Sequence, residues 1–186
     1  MVVAPIAPFL GARVGVGDRY EGGIAYTGRG ARIDMRRSFD WDSISLSIGA
    51  GLDAAFYGRQ QGAPIPDVDL GSLHGYGADI PILIGWEATG GLYMLWAGVR
   101  AGYEHDVIEQ LTSEPKSVTI GTPPTGLTAD RFWAGGLVGM AAGFRHVHVA
   151  LECDVAYQSV SGSYNATSVK VSGVTLVPAS ALWWSF

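Results

Sequence analysis

The chain has 186 residues, of which 48% are apolar, only 16% charged and 27 glycine, with a formal net charge of -5. That length fits one domain, 1–186, and the apolar content excludes a disordered chain. An acidic balance with just two lysines, Lys116 and Lys170, excludes nucleic acid as a partner, and the single Cys153 excludes an internal disulfide or a cysteine-rich metal centre.

No stretch reaches the ~18 apolar residues of a membrane helix. MVVAPIAPFLG has neither the basic start nor the continuous apolar run of a leader, so none is expected there. Period-two alternation runs almost throughout instead, and it predicts eight strands at 8–17, 22–37, 43–57, 73–87, 91–105, 127–143, 146–160 and 167–185.

In chain order, the first strand sets Arg13 on its polar face. The second puts Ile24 and Tyr26 on the apolar face, but Arg32, Asp34 and Arg36 then share their parity. A β-bulge within Gly28-Arg29-Gly30 would exchange the faces and turn Ala31, Ile33 and Met35 outward. The third aligns Ile44, Leu46, Ile48, Ala50, Leu52, Ala54 and Phe56 against Ser45, Ser47, Gly49, Gly51 and Asp53. In the fourth, Tyr76 and Trp86 flank Ala78, Ile80, Ile82 and Ile84, while Asp79 and Pro81 face the other way. Pro81 lacks a ladder donor, so a bulge or a locally unpaired position is expected there. The fifth repeats the pattern with Tyr93 and Tyr103 around Leu95, Ala97, Val99 and Ala101, opposite Met94, Trp96, Arg100 and Glu104. The sixth and seventh set Arg131, Trp133, Leu137, Glu152 and Asp154 against an apolar face that includes Tyr157. The last carries Val174, Leu176, Pro178, Leu182, Trp184 and Phe186 on one face, and a second bulge near Gly173 would add Val169 and Val171 to it.

Tight connections follow strands two, four and six, at Asp40-Trp41-Asp42, Ala88-Thr89-Gly90 and Gly143-Phe144-Arg145. Long ones follow strands three and five, at 58–72 and 106–126. Short turns at one end and longer loops at the other describe an up-and-down antiparallel barrel. Three features turn its apolar face toward lipid. Aromatic rings bracket that face, and ten residues at ~3.3 Å tilted by ~45° span about 23 Å, the height of an outer-membrane barrel's apolar band. The opposite face mixes glycine with balanced charge, which suits a narrow lumen. Lysine is confined to one loop and the start of the last strand.

The ending Leu182-x-Trp184-x-Phe186 resembles that of bacterial outer-membrane β-barrel proteins, and the eight-strand pattern is closest to the small OmpA/OmpX-like barrels. The resemblance implies an all-β, eight-stranded antiparallel up-and-down transmembrane β-barrel in a Gram-negative outer membrane, porin-like in architecture, with periplasmic termini; an OmpA-style peptidoglycan-binding domain is not expected after the last strand. It further implies that Leu182, Trp184 and Phe186 are the signal read by the barrel-assembly machinery, and that outer-membrane lipid and lipopolysaccharide surround the wall.

The inward set, Arg13, Arg32, Asp34, Arg36, Asp53, Asp79, Arg100, Glu104, Arg131, Glu152 and Asp154, is nearly balanced in charge. Balance favours an ion-pair network filling the lumen over a charged conduit, since unpaired buried charge is costly. The aromatic girdle comprises Tyr76, Trp86, Tyr93, Tyr103, Tyr157, Trp184 and Phe186. His146 and His148 form an H-x-H whose parity puts both inward, but no third ligand accompanies them, so no metal and no cofactor is expected. His105 beside Glu104 and Asp106 reads as polarity at the rim.

Two lipid A-modifying enzyme types supply the competing reading. A deacylase resembles a His-x-Ser pair, and here Val147-His148 follow His146 instead. A palmitoyltransferase needs His and Ser at the outer surface above a hollow barrel, for which His74 and Ser72 above inward Pro81 and Leu83 are the candidates. The glycine runs GAGLDAAFYG and VGVG lack the strand–loop–helix setting of a phosphate loop. The expectation is a non-enzymatic structural or surface-interaction protein, with any partner meeting 58–72 and 106–126, and a narrow channel as the further alternative.

Overall fold

A computed structural model describes residues 10–28, 30–56, 73–88, 90–108, 127–144, 146–164 and 167–184. These residues form one sheet in which every strand is hydrogen-bonded antiparallel to its neighbours in sequence. Its strands are β1 (Leu10–Gly15), β2 (Tyr20–Tyr26), β3 (Gly30–Trp41), β4 (Ile44–Phe56), β5 (Leu73–Glu87), β6 (Tyr93–Ile108), β7 (Leu127–Phe144), β8 (Val147–Tyr164) and β9 (Thr167–Trp184). No ladder joins β1 to β9 among the described residues, so the sheet is not closed into a barrel there.

The architecture is the expected all-β, up-and-down one, but among the described residues the strands number nine rather than eight. The second predicted strand is a hairpin. Gly28 adopts a φ of 77°, a left-handed conformation that glycine enters without steric penalty, and the Thr27 N–H donates to the Gly30 carbonyl at 3.0 Å. Gly28-Arg29-Gly30 therefore marks a turn, not a bulge. Ile24 comes to lie opposite Ile33, and Tyr26 opposite Ala31. A turn and a bulge both exchange the faces, which is why parity alone did not separate them. The odd count has a topological consequence: β1 begins at one end of the sheet and β9 finishes at the other. Eight strands would have put both at the same end.

The turns β1–β2, β3–β4, β5–β6 and β7–β8 share the end at which β9 finishes. Left-handed residues fold three of them, namely Gly17 and Arg19, Asp42, and Gly90 with Gly91. The two long connections, 57–72 and 109–126, leave from the opposite end and lie outside the described residues, as does nearly all of each proposed partner-binding loop.

Pro81 is accommodated by a local gap. The β4–β5 ladder runs Ile48 to Ile82, then resumes at Gly51 to Asp79 with no change of register. The missing N–H of Pro81 thus falls where the ladder is already open. The β8–β9 register passes without interruption through Gln158–Gly173, so the bulge proposed near Gly173 is absent. Val169 and Val171 consequently lie on the charged face, and Ser168, Lys170 and Ser172 on the other. At that level the apolar band has already ended.

The strands cross the turn ends obliquely. The cross-strand row through Ile48 meets β2 at Tyr20, its first residue, and β9 at Leu176, eight residues before Trp184. A drift of ~26 Å over seven strand spacings of ~4.7 Å gives a tilt of about 40° when the turns are taken as level. Barrels tilt by 35–45°, so the sheet already has barrel stagger.

Gly28→Val is expected to destabilise the fold by about 1–2 kcal/mol, because a β-branched residue pays the left-handed penalty that glycine avoids. Gly28→Asn should cost much less, and urea midpoints in one detergent will compare the two.

Candidate functional site

The apolar side chains lie on the outside of this sheet. Ile24, Ile33, Ile80, Ile82, Ile84, Val99, Val138, Leu151 and Leu176 are all exposed, whereas the buried apolar residues are mostly alanines, with Leu137 and Ile108. The charged face is concave, and the proof is in contacts that skip a strand. Arg32 on β3 reaches Asp79 on β5, with Nη2 donating to Oδ2 at 3.1 Å. From β6, Trp96 Nε1 donates to Glu152 on β8 at 2.7 Å, and Arg100 pairs with Asp154 on β8 at 3.4 Å. Side chains two strands apart converge only on the inside of a curve. A cavity of about 440 Å³ lies there, lined by Arg32, Asp53, Arg100, Arg131, Asp154 and Val177, which come from strands between β3 and β9.

The inner charges form two groups. In the first, Asp34 receives Arg13 at 2.8 Å, with Arg32 and Arg36 each at 3.7 Å, and its side chain is only 7% exposed. Arg13 also lies 3.6 Å from Glu21, which the sequence reading had not included. In the second, Arg131 pairs with Glu104, and Arg100 lies over the Trp133 ring at 4.5 Å. Asp53 stands across the ladder from Arg32 and faces the same cavity. All eleven charged residues singled out in the sequence therefore share this face.

Local sequence explains the fit. A β-strand offers room for an indole lying flat only where its neighbour has no side chain. Trp133 covers Gly102 and Trp96 covers Gly139, and an added Cβ at either glycine would collide with the ring. The result is a charged concavity in which most carboxylates and guanidinium groups are paired, and the arrangement can order water and hold ion pairs. Among the described residues it assembles no nucleophile–base–acid series.

The histidines separate. His148, 4% exposed, stacks on Trp183 at 5.2 Å, and its Nε2 lies 3.2 Å from the Gly91 carbonyl. His146 sits in the turn before β8 and stacks on exposed Trp184 at 5.8 Å. Strand parity for His146 fails because the residue is not in the strand, so the two rings do not converge inward. Among the described residues no group of three or more His, Cys, Asp or Glu is placed to hold a metal. His74 lies on the apolar face, across from Phe56 and Val107, while Pro81 lines the charged face. His74 and the inner space beneath it are thus on opposite sides of the sheet, and Ser72 is outside the described residues.

His105 joins a cluster that the sequence reading missed. Its Nδ1 lies 2.8 Å from Asp130 Oδ1, the Tyr103 hydroxyl donates to the same oxygen, and Tyr76 packs 5.4 Å away. His105 and Asp130 are cross-strand partners, a relation visible only once the β6–β7 register is known. The pair lies beyond the apolar band, where the Tyr103 hydroxyl and then His105 hold the Asp130 carboxyl below the usual range.

Tyr76, Trp86, Tyr93, Tyr103, Tyr157, Leu182 and Trp184 are exposed on the apolar face, and Phe186 lies outside the described residues. Tyr20, Tyr26, Trp41, Phe56, Phe132 and Phe144 extend the same two aromatic borders. Their parity with named girdle residues was the available signal.

No protein-family model matches this chain, and no curated protein or solved structure matches it either.

Asp34→Asn is expected to cost about 3 kcal/mol or more, since it leaves three guanidinium groups around a neutral amide. Glu21→Gln, at an exposed pair, should cost under about 1 kcal/mol. Guanidinium unfolding followed by circular dichroism separates these outcomes.

Proposed function

We propose that the chain builds the wall of a transmembrane β-barrel in the outer membrane of a Gram-negative bacterium, with its apolar face in lipid and its charged face around a packed lumen. Its role is structural or surface-interacting, exerted through the long connections, and not catalytic. The observation that carries this reading is the reversal of the ordinary burial rule. Large aliphatic side chains are exposed in a continuous band with aromatic rings along both borders, while carboxylates and guanidinium groups are gathered inside. Water would penalise so large an apolar surface, whereas hydrocarbon does not. Amphipathic rings are stable where hydrocarbon meets headgroups.

The strand tilt supports the same reading, as does the ending Leu182-x-Trp184 on the apolar face. A soluble carrier barrel would need the opposite polarity, with apolar residues lining the cavity. Conduction through the lumen is disfavoured by Trp96, Trp133 and Leu137, which occupy its inner face. An enzyme of the lipid A-modifying kind is disfavoured by the separation of His74 from the inner cavity.

Brominated acyl chains test the orientation directly. A variant retaining only Trp86 should be strongly quenched in brominated phosphatidylcholine vesicles, and one retaining only Trp133 should not. Equal quenching of the two, or a monodisperse monomer in detergent-free buffer, would overturn the proposal. Val99→Arg, in the middle of the band, is expected to cost about 2–4 kcal/mol of refolding stability in the same vesicles.

A further inference from the structure

The strand arginines of the described residues divide by face, and Arg19 lies in the β1–β2 turn. Arg13, Arg32, Arg36, Arg100 and Arg131 all pair with carboxylates on the concave side. Arg37 has the other parity, in line with Ile33 and Met35, and its side chain is on the apolar surface. Its guanidinium carbon lies 5.4 Å from the Tyr20 ring centroid and 4.9 Å from that of Phe39. It forms no ion pair with any carboxylate of the described residues.

Its position is specific. Arg37 is the cross-strand partner of Tyr20, the first residue after the β1–β2 turn, and the next residue, Ser38, donates its N–H to the Arg19 carbonyl at 2.8 Å. Arg37 therefore stands level with Tyr20 at the short-turn end of β2, with Phe39 and Trp41 on the same face between it and the β3–β4 turn. Asp40 has the concave parity, and Asp18 and Asp42 belong to turns and form no ion pair with it.

Contacts with two aromatic rings strip water from the faces of a guanidinium but leave its edge donors open, and they do not neutralise its charge. That edge is a rigid fork matched to two oxygens of a phosphate. At the level of lipid headgroups the anion within reach is a phosphodiester. We infer that Arg37, cradled by Tyr20 and Phe39, is a docking site for the phosphate of a phospholipid in the leaflet at the short-turn end. This rests on the transmembrane reading above. Lys170, the other cation of the apolar face, lies at the far end across from Ser161 and has no aromatic cradle, which makes it the control.

The experiment titrates delipidated protein in nonionic detergent with a short-chain phosphatidylglycerol, read by native mass spectrometry. Arg37→Gln is expected to weaken binding about tenfold, Arg37→Lys to recover only part of it, and Lys170→Gln to leave it unchanged. Unaltered binding in Arg37→Gln would overturn the site. Displacement of the lipid by equimolar inorganic phosphate would also overturn it, since the site would then be one for a free ion. Trp86 quenching in the variant that retains only that tryptophan and keeps Arg37 separates the two levels of failure. If quenching persists while Arg37→Gln binds normally, the site is wrong and the transmembrane reading stands; if quenching is absent, both fall.

Discussion

A guanidinium withdrawn from water needs a carboxylate within reach, and that demand organises this sheet. Asp34 gathers Arg13, Arg32 and Arg36, and Asp79 draws Arg32 across from a strand that is not its ladder neighbour. Arg100 with Asp154 does the same between β6 and β8. The Arg13–Asp34, Arg32–Asp79 and Arg100–Asp154 contacts are each made across an intervening strand, so each can close only if the charged face bends inward. The ion pairs and the curvature are thus one arrangement. An isolated buried pair adds little net stability, but a half-removed one is severely destabilising, so the network specifies the concave side more than it strengthens it.

Bending inward crowds that face, and the chain answers with glycine. Where Trp96 and Trp133 lie flat, Gly139 and Gly102 are beneath them. Arg100 then rests on Trp133, and Trp96 donates to Glu152. The same residues that fill the inside also partner its charges. The opposite face needs no such pairing, and its large aliphatic and aromatic side chains are covered by nothing among the described residues.

Parity was legible in the sequence because a strand's period of two is insensitive to where its ends fall. The inward charges and the outward aromatics of β4 to β8 followed from it without further information. What parity cannot register is a change of direction. Gly28-Arg29-Gly30 exchanges faces whether the backbone bulges or turns, and only the Thr27–Gly30 hydrogen bond distinguishes them. The same limit applied at Gly173, where two valines that look misplaced are simply on the charged face above the level at which polarity is required. His146 was misplaced because a turn residue obeys no strand parity. The His105–Asp130–Tyr103 cluster needed the register between two strands joined by a long connection, which no local pattern encodes.

The odd strand count bears on how such a sheet would sit in a bilayer. Hydrocarbon offers no hydrogen bonds, so neither β1 nor β9 can present an open edge there. Both run in the same direction, and a direct seam between them would be parallel, alone among antiparallel neighbours. One strand between them would keep the alternation, and bacterial barrels have even strand numbers. Gly30 at the start of β3 and Val177 in β9 line one open concavity, so the charged face curves continuously from β3 to β9. Closing a wide ring from several copies would pull those walls apart and separate Arg32 from Asp79. Under the proposed transmembrane reading, the curvature set by the inner ion pairs suits a narrow ring, the geometry in which a lumen is just wide enough for its own side chains.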